Sequence, residues 1–434
     1  MIKTKIKLNN LILFIVLLLS IFPTANIGSF TMPILYLLLP IGAMVFLLIV
    51  FGWIKIPKII KYIIFITSFI IIEVFISAMN GTITDFNKFI FPTDVIQYIA
   101  RFLFLISFAC VFYKGKIEAD IFIKYFLIFL NIGMLIGILQ WIPWPGREFF
   151  IKLYPFRDGL EQLSQLNRPF YLIRVHGLAQ HATANGGLAT FFFVFSYSVF
   201  KYYRKYKFLS ISLMMLSIIN IFISQARGGI LALIFSIFLF YIIDIYINKK
   251  IFKSVVYILI VTLGIILIVW QLYNNGNPYI NQMLYRWKVL FDTRGGGRVD
   301  QAKYFFSLMT SWSQYLFGLS KQVINQSAIP FGVEIEFVNI FITYGVLGFI
   351  LQYSLVLILL IYFFKNISKA IVDQASLTLL IASFVGLFSY QVFSVAYYFF
   401  REIRVGLFPW ILMGVAIGVF ERYKLNKKVV KSYK

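Results

Sequence analysis

The sequence predicts an all-α polytopic membrane protein of about twelve transmembrane helices, with both termini cytoplasmic and two long outer loops. Three observations predict it. Of the 434 residues, 61% are hydrophobic and only 13% charged, with a mean hydropathy of +0.88; a soluble chain of this length needs far more polar surface. Apolar runs of about 17–25 residues, the length a helix needs to cross a bilayer, recur from end to end. Lysine-bearing segments alternate between these runs as an even number of crossings requires.

The candidate spans fall at about 8–24, 33–53, 60–79, 95–113, 121–142, 184–200, 208–224, 229–247, 254–273, 337–364, 375–395 and 403–421. The first follows the basic MIKTKIK and resembles a signal peptide, but PTANIGS is a poor cleavage site and the run reads as an uncleaved span. No repeat of fixed period stands out, and no soluble domain separates, so residues 1–434 form one integral membrane domain. The single Cys110 excludes a disulfide framework and a thiolate metal cluster. The lack of a Walker-type phosphate loop argues against an ATP-driven machine. The expected surroundings are a lipid bilayer, with no nucleic-acid partner.

Charge orients the spans. KTKIK, KIPKIIK, KGK, KYYRKYK, KKIFK, KNISK and the tail ERYKLNKKVVKSYK fall on one side, which the positive-inside rule makes cytoplasmic. That side holds 21 lysines but only Arg204 and Arg422. Ten of the thirteen arginines (147, 157, 168, 174, 227, 286, 294, 298, 401 and 404) fall on the other, with five lysines. Topology selection treats lysine and arginine alike, so it does not explain this sorting. The guanidinium is a planar fork suited to phosphate or carboxylate, and the outer arginines therefore point to an anionic ligand.

The outer loops cover about 143–183 and 274–336. Loops of this length usually carry function, and their aromatics suggest that FFIKLY and YRWKVLF are short interfacial helices. The first loop ends RVHGLAQHATANGG, which places Arg174, His176 and His181 at a membrane entrance. Two histidines without carboxylates are a poor metal set; hydrogen bonding to a ligand or proton transfer suits them better. SQARGG, between two apolar runs, supplies a short outer turn in which Gly228 and Gly229 act as helix breakers and Arg227 stands beside a helix N-terminus, a phosphate-binding arrangement. The second loop carries Arg294 and Arg298 around a glycine triplet and ends FGVEIEFVNIFITYGVLGFI, with Glu334 and Glu336 at the mouth of a span and Asn339 one turn inside. Either carboxylate is a candidate general base.

These segments carry a resemblance. SQARGG after an apolar span, an R-x-x-G segment at a span entrance, and a late outer loop ending in an acid before N-x-F-x-x-Y-G-x-x-G resemble the O-antigen ligase and polymerase superfamily. As layout the likeness covers most of the chain; as motif it covers three short segments. The resemblance implies a metal-independent, inverting membrane glycosyltransferase without a cofactor, which joins undecaprenyl-diphosphate-linked oligosaccharide repeat units into an O-antigen or capsular-type polysaccharide. The active site would face the periplasm or exterior. The superfamily's ligases place His-Asn about eleven residues before the Tyr-Gly glycine; here Glu334-Ile335 stands at that distance from Gly345, which looks more like the polymerases. LFGLSK also lacks the second glycine of the G-x-G often seen after the loop arginine.

On this reading Arg227 and Arg174 hold the donor diphosphate with Arg298 or Arg294, while Glu334, or else Glu336, accepts a proton from the attacking sugar hydroxyl. His176, His181 and Asn339 contact substrate. A second lipid-diphosphate oligosaccharide is the acceptor, and a polysaccharide chain-length regulator is a possible partner. The alternatives are a ligase that moves finished polymer to another acceptor and, in a different class, a lipid-linked oligosaccharide flippase or other secondary transporter. Transporters, however, usually carry midplane charges and structural repeats.

Overall fold

In the computed structural model, the described residues are all but 1, 28–29, 86–90, 93, 155–162, 165, 167, 249–263, 265–266, 268, 294, 331, 398–405 and 433–434. Helices lie at every expected span; of 254–273 the described residues, 264, 267 and 269–273, are helical and the others fall outside the described residues. In chain order they are α1 (Ile2–Ile21), α2 (Leu39–Val50), α3 (Lys58–Asp85), α4 (Asp94–Tyr113), α5 (Ala119–Trp141), α6 (Arg147–Leu153), α7 (Ala182–Ser198), α8 (Lys207–Ser224) and α9 (Arg227–Asn248). The second half holds α10 (Pro278–Asp292), α11 (Arg298–Leu308), α12 (Trp312–Phe317), α13 (Ser320–Gln326), α14 (Glu336–Ile367), α15 (Gln374–Phe393) and α16 (Leu407–Ser432).

Among the described residues seven helices are long and apolar enough to cross a membrane, namely α3, α4, α5, α8, α9, α14 and α15. Segments Leu8–Ile21 and Ile34–Val50 are shorter apolar helices. The lipid-type surface is visible on α3, where Tyr62, Phe65 and Ile72 are exposed despite their apolar character. The described residues fit the all-α expectation, with one short hairpin among the helices. Thr24–Ile27 (β1) and Phe30–Pro33 (β2) pair antiparallel, Thr24 opposite Pro33, in a hairpin between α1 and α2. The chain reverses there under alternating β-formers, too briefly to build a helical turn on either side.

Helix α7 is the axis of the bundle, buried on nearly every side against α8, α9 and α15. A helix apolar all round belongs in such a place. Lipid gives helices little hydrophobic reason to associate, so close backbone approach and interhelical hydrogen bonds matter more. Both occur here. A Cβ on Gly229 would lie 2.8 Å from the Gly186 carbonyl oxygen, and Thr190 Oγ1 donates to the Gly229 carbonyl at 2.9 Å.

The segment 274–336 is largely helical, and FFIKLY falls in α6 up to Leu153 and YRWKVLF in α10, as the sequence suggests. At about 1.5 Å per residue α14 is too long for a straight crossing. It breaks at Gly345, where φ is 65° and ψ is −167°. A Cβ there would stand 2.3 Å from the Leu316 carbonyl oxygen, so the break seats the end of α12 against the kink. Carbonyls near the break find partners elsewhere: Leu319 N donates to Ile342 O at 2.8 Å and Ser77 Oγ to Thr343 O at 2.7 Å.

Candidate functional site

The turn at SQARGG is where the sequence places it but is built differently. Helix α8 ends at Ser224, Gln225 takes the left-handed conformation (φ 51°), and α9 starts at Arg227 itself. The expectation that Gly228 and Gly229 break the helix is therefore corrected: both lie within the first turn of α9. They are small because their neighbours are close, Ala396 at Gly228 and Gly186 at Gly229. Gln225 makes the reversal, braced by its Nε2 donating to Tyr171 O at 2.7 Å. Arg227 consequently stands at the end of a helix whose first amides lack intrahelical partners.

Three guanidiniums meet there. Arg227 Nη1 donates to the carbonyl of Arg286 on α10. Arg227 also lies within electrostatic reach of Arg298, Arg286 and Glu334. Arg298, at the start of α11, reaches Glu334 Oε2 at 2.5 Å through Nη2, which also donates to Ala396 O at 2.9 Å. Its Nη1 donates to Gly295 O at 2.9 Å. The Glu334 amide donates to Gln301 Oε1 at 3.3 Å, which ties the carboxylate's backbone to α11. Burial holds the Arg286 guanidinium below the usual arginine range. The Nε atoms of Arg286 and Arg298 are buried without a hydrogen-bond partner among the described residues. Arg227 thus lies among two further cations and one carboxylate, and the surplus positive charge of these groups is suited to an anion of more than one charge.

Arg174, His176 and His181 form an adjoining group. Arg174 Nε donates to Ser224 O at 3.2 Å and its Nη2 to Thr183 Oγ1 at 3.0 Å, so it grips the end of the same turn that carries Arg227. His181 caps α7, its Nδ1 accepting from Thr183 N at 3.2 Å, and its ring stacks on Tyr397 with centroids 5.7 Å apart. That cap leaves the proton of the neutral ring on Nε2. Burial, helped by His181 and Arg174, pushes His176 down to about 3; burial and Arg174 push His181 down to about 4. Both imidazoles are therefore neutral at pH 7 and act through hydrogen bonds rather than charge.

A corner following α15 joins the two groups. The carbonyl of Ser394 accepts from Glu336 N at 2.9 Å, the carbonyl of Ala396 accepts from Arg298, and Tyr397 stacks on His181. Nothing in the local sequence singled this corner out. Arg286 belongs to the cluster as well; its only signal was membership of the outer arginine set.

Two other candidates face inward. Glu336 is 1% exposed and lies within electrostatic reach of Tyr353, behind the wall that carries Glu334. Asn339 is equally buried; its Nδ2 donates to Val333 O at 2.8 Å and its Oδ1 accepts from Thr343 Oγ1 at 3.2 Å. It braces the Glu334 loop. Arg294, together with Arg157, Arg401 and Arg404 of the outer set, lies outside the described residues. Among the described residues no group of three His, Cys, Asp or Glu side chains is placed to hold a metal ion. The sequence also concealed a buried arginine inside a span: Arg101 on α4 is 2% exposed, its guanidinium 6.0 Å from the Tyr98 ring centroid. No family model matches the chain, and no curated protein matches it.

Proposed function

We propose that this protein is a membrane glycosyltransferase that polymerises lipid-diphosphate-linked oligosaccharides at the outer face of a bacterial plasma membrane. The undecaprenyl carrier, twelve crossings and cytoplasmic termini belong to the same proposal. The observation that carries it is the gathering of Arg286 and Arg298 around Arg227, with Glu334 paired to Arg298 and within electrostatic reach of Arg227.

The chemistry follows from those groups. A hydroxyl of the acceptor sugar attacks the anomeric carbon of the donor; the new C–O bond forms as the bond to the diphosphate breaks. Glu334 takes the hydroxyl proton. Negative charge grows on the departing diphosphate, and guanidiniums fixed by main-chain carbonyls stabilise it without first having to reorganise. Diphosphate engaging Arg298 loosens its pair with Glu334 and turns the carboxylate toward the hydroxyl. Arg174 and the neutral histidines line the approach, with Asn339 and Glu336 supporting the wall.

The test is polymer synthesis by purified protein in proteoliposomes supplied with the lipid-linked repeat unit. New glycosidic bonds that depend on Arg227 and Glu334 support the reading. Transbilayer movement of unmodified substrate would show a transporter instead, and transfer only of preformed polymer to a different acceptor would show a ligase.

A further inference from the structure

A pocket of about 220 Å³ opens between α3, α4 and α13, away from the arginine cluster. Its polar lining is Asp94, Lys321, Gln322, Asn325, Gln326 and Tyr344, with Phe91 at one wall. The walls are firmly tied. Asn80 Nδ2 donates to Gly318 O at 2.9 Å, Ser77 Oγ holds the Thr343 carbonyl at 2.7 Å, and the Tyr344 hydroxyl donates to Asp94 Oδ2. A Cβ on Gly81 would lie 3.1 Å from the Leu319 carbonyl oxygen, so α3 and the start of α13 meet backbone to backbone.

The lining selects a class of ligand. Among the described lining residues one ammonium and one carboxylate balance and no arginine contributes, so this lining carries no surplus charge for a phosphate. One carboxylate, already taking a tyrosine proton, is a poor cation site. Three carboxamides each offer a donor pair and an acceptor, and the carboxylate accepts several bonds, which suits adjacent hydroxyls that must both donate and accept. An aromatic wall accommodates the apolar C–H face of a ring. We propose that this pocket is a saccharide subsite for a neutral, polyhydroxylated sugar ring.

Its position gives it a role, which rests on the reading of the chain as a glycosyltransferase. Gln322, Asn325 and Gln326 share one face of α13 by their i, i+3, i+4 spacing. Ile324 points to the opposite face, where a Cβ on Gly332 would stand 3.3 Å from its Cγ2 atom, two residues before Glu334. The pocket and the Gly332 backbone that leads to Glu334 therefore lie on opposite sides of one helix, about 10 Å in diameter. A sugar bound there is separated from the bond being formed by intervening glycan, and the pocket holds the chain rather than the reacting residue.

The experiment uses the full chain in lipid nanodiscs, with saturation-transfer NMR against galactose, N-acetylglucosamine and rhamnose, and calorimetric titration with inorganic pyrophosphate. At least one sugar is expected to give a signal that falls about tenfold in both Gln322→Leu and Asn325→Leu, with pyrophosphate affinity unchanged. Arg227→Lys is expected to do the reverse, losing pyrophosphate and keeping the sugar. Two variants guard against misfolding, since Asn325 is exposed on the surface of α13. No signal from any sugar with wild-type protein, or unchanged signals in both leucine variants, overturns the subsite. A sugar signal abolished by both variants in a protein that makes no polymer keeps the subsite and overturns the polymerase reading alone.

Discussion

The two ends of the bundle use positive charge in opposite ways. On the lysine-rich end three of the cations are matched with acids. Lys201 pairs with Asp244, Lys205 with Asp120 at 2.8 Å, and Lys424 with Glu421 at 2.7 Å. Tyrosines add to these groups, Tyr203 and Tyr206 on Asp120 and Tyr202 on Asp244. On the arginine-rich end the guanidiniums bond main-chain carbonyls: Arg147 to Gln140, Arg174 to Ser224, Arg227 to Arg286 and Arg298 to Ala396. A carbonyl satisfies a donor and fixes its direction but cancels no unit charge. These lysines are therefore compensated, whereas of these four arginines Arg298 also meets a carboxylate, Glu334, and the others are positioned by carbonyls. Ion pairs at a surface contribute little to stability, whereas fixed, uncancelled guanidiniums are what a developing anion needs.

The largest expected effect tests the acid paired with Arg298. Glu334→Gln should lower the rate of polymer formation by about 10³ with the protein still folded, while Glu336→Gln should act mainly on stability, by about 1–3 kcal/mol, because a buried group loses its environment. Steady-state rates and thermal midpoints of the two variants decide it; a stable but inactive Glu336→Gln would exchange their roles. Arg227→Lys comes next, with a loss of about 10² in rate despite retained charge, and a near-normal polymer length distribution would remove the diphosphate role.

Smaller effects probe the frame. Gly345→Ala puts a Cβ against the Leu316 carbonyl at a positive φ, for a loss of about 2–3 kcal/mol measured by thermal unfolding; an unchanged midpoint would mean the kink is not confined by α12. Stability should also vary with pH through the histidines. Their folded values, near 3 and 4, lie below the ordinary 6.5, so below about pH 6.5 the unfolded chain binds more protons and stability falls until the folded values are reached. Above pH 7 this contribution is constant, and His176→Gln should flatten the acid limb. The smallest effect belongs to the lysine end: Lys205→Met should leave the transfer rate within about twofold of wild type. A large loss there would break the contrast between the ends.

Much of the fold was legible because hydropathy writes helices locally, and the amphipathic YRWKVLF stretch marks α10 as clearly as any span. The sorting of arginine from lysine singled out Arg227, Arg286 and Arg298, which the fold brings together, and SQARGG marked the turn between α8 and α9. What could not be read is what depends on distant segments meeting. The choice between Glu334 and Glu336 turns on the corner at Ser394–Tyr397, some sixty residues later in the chain. Gly228 and Gly229 looked like breakers because glycine signals both turns and tight packing, and only the partner helix tells them apart. Arg101 passed unnoticed because its apolar flanks outweigh one charge in any hydropathy window.

Because the guanidiniums are held by carbonyls, the side chains at Ser224, Arg286 and Ala396 are free of that duty. Any residue that keeps the same backbone path supplies the same oxygen. An enzyme built this way can drift through most of its letters while its anion site stays in place, provided that the helix ends remain where they are. Two such proteins would then be recognised as kin by overlaying carbonyl positions around three arginines long after their alignments had ceased to agree.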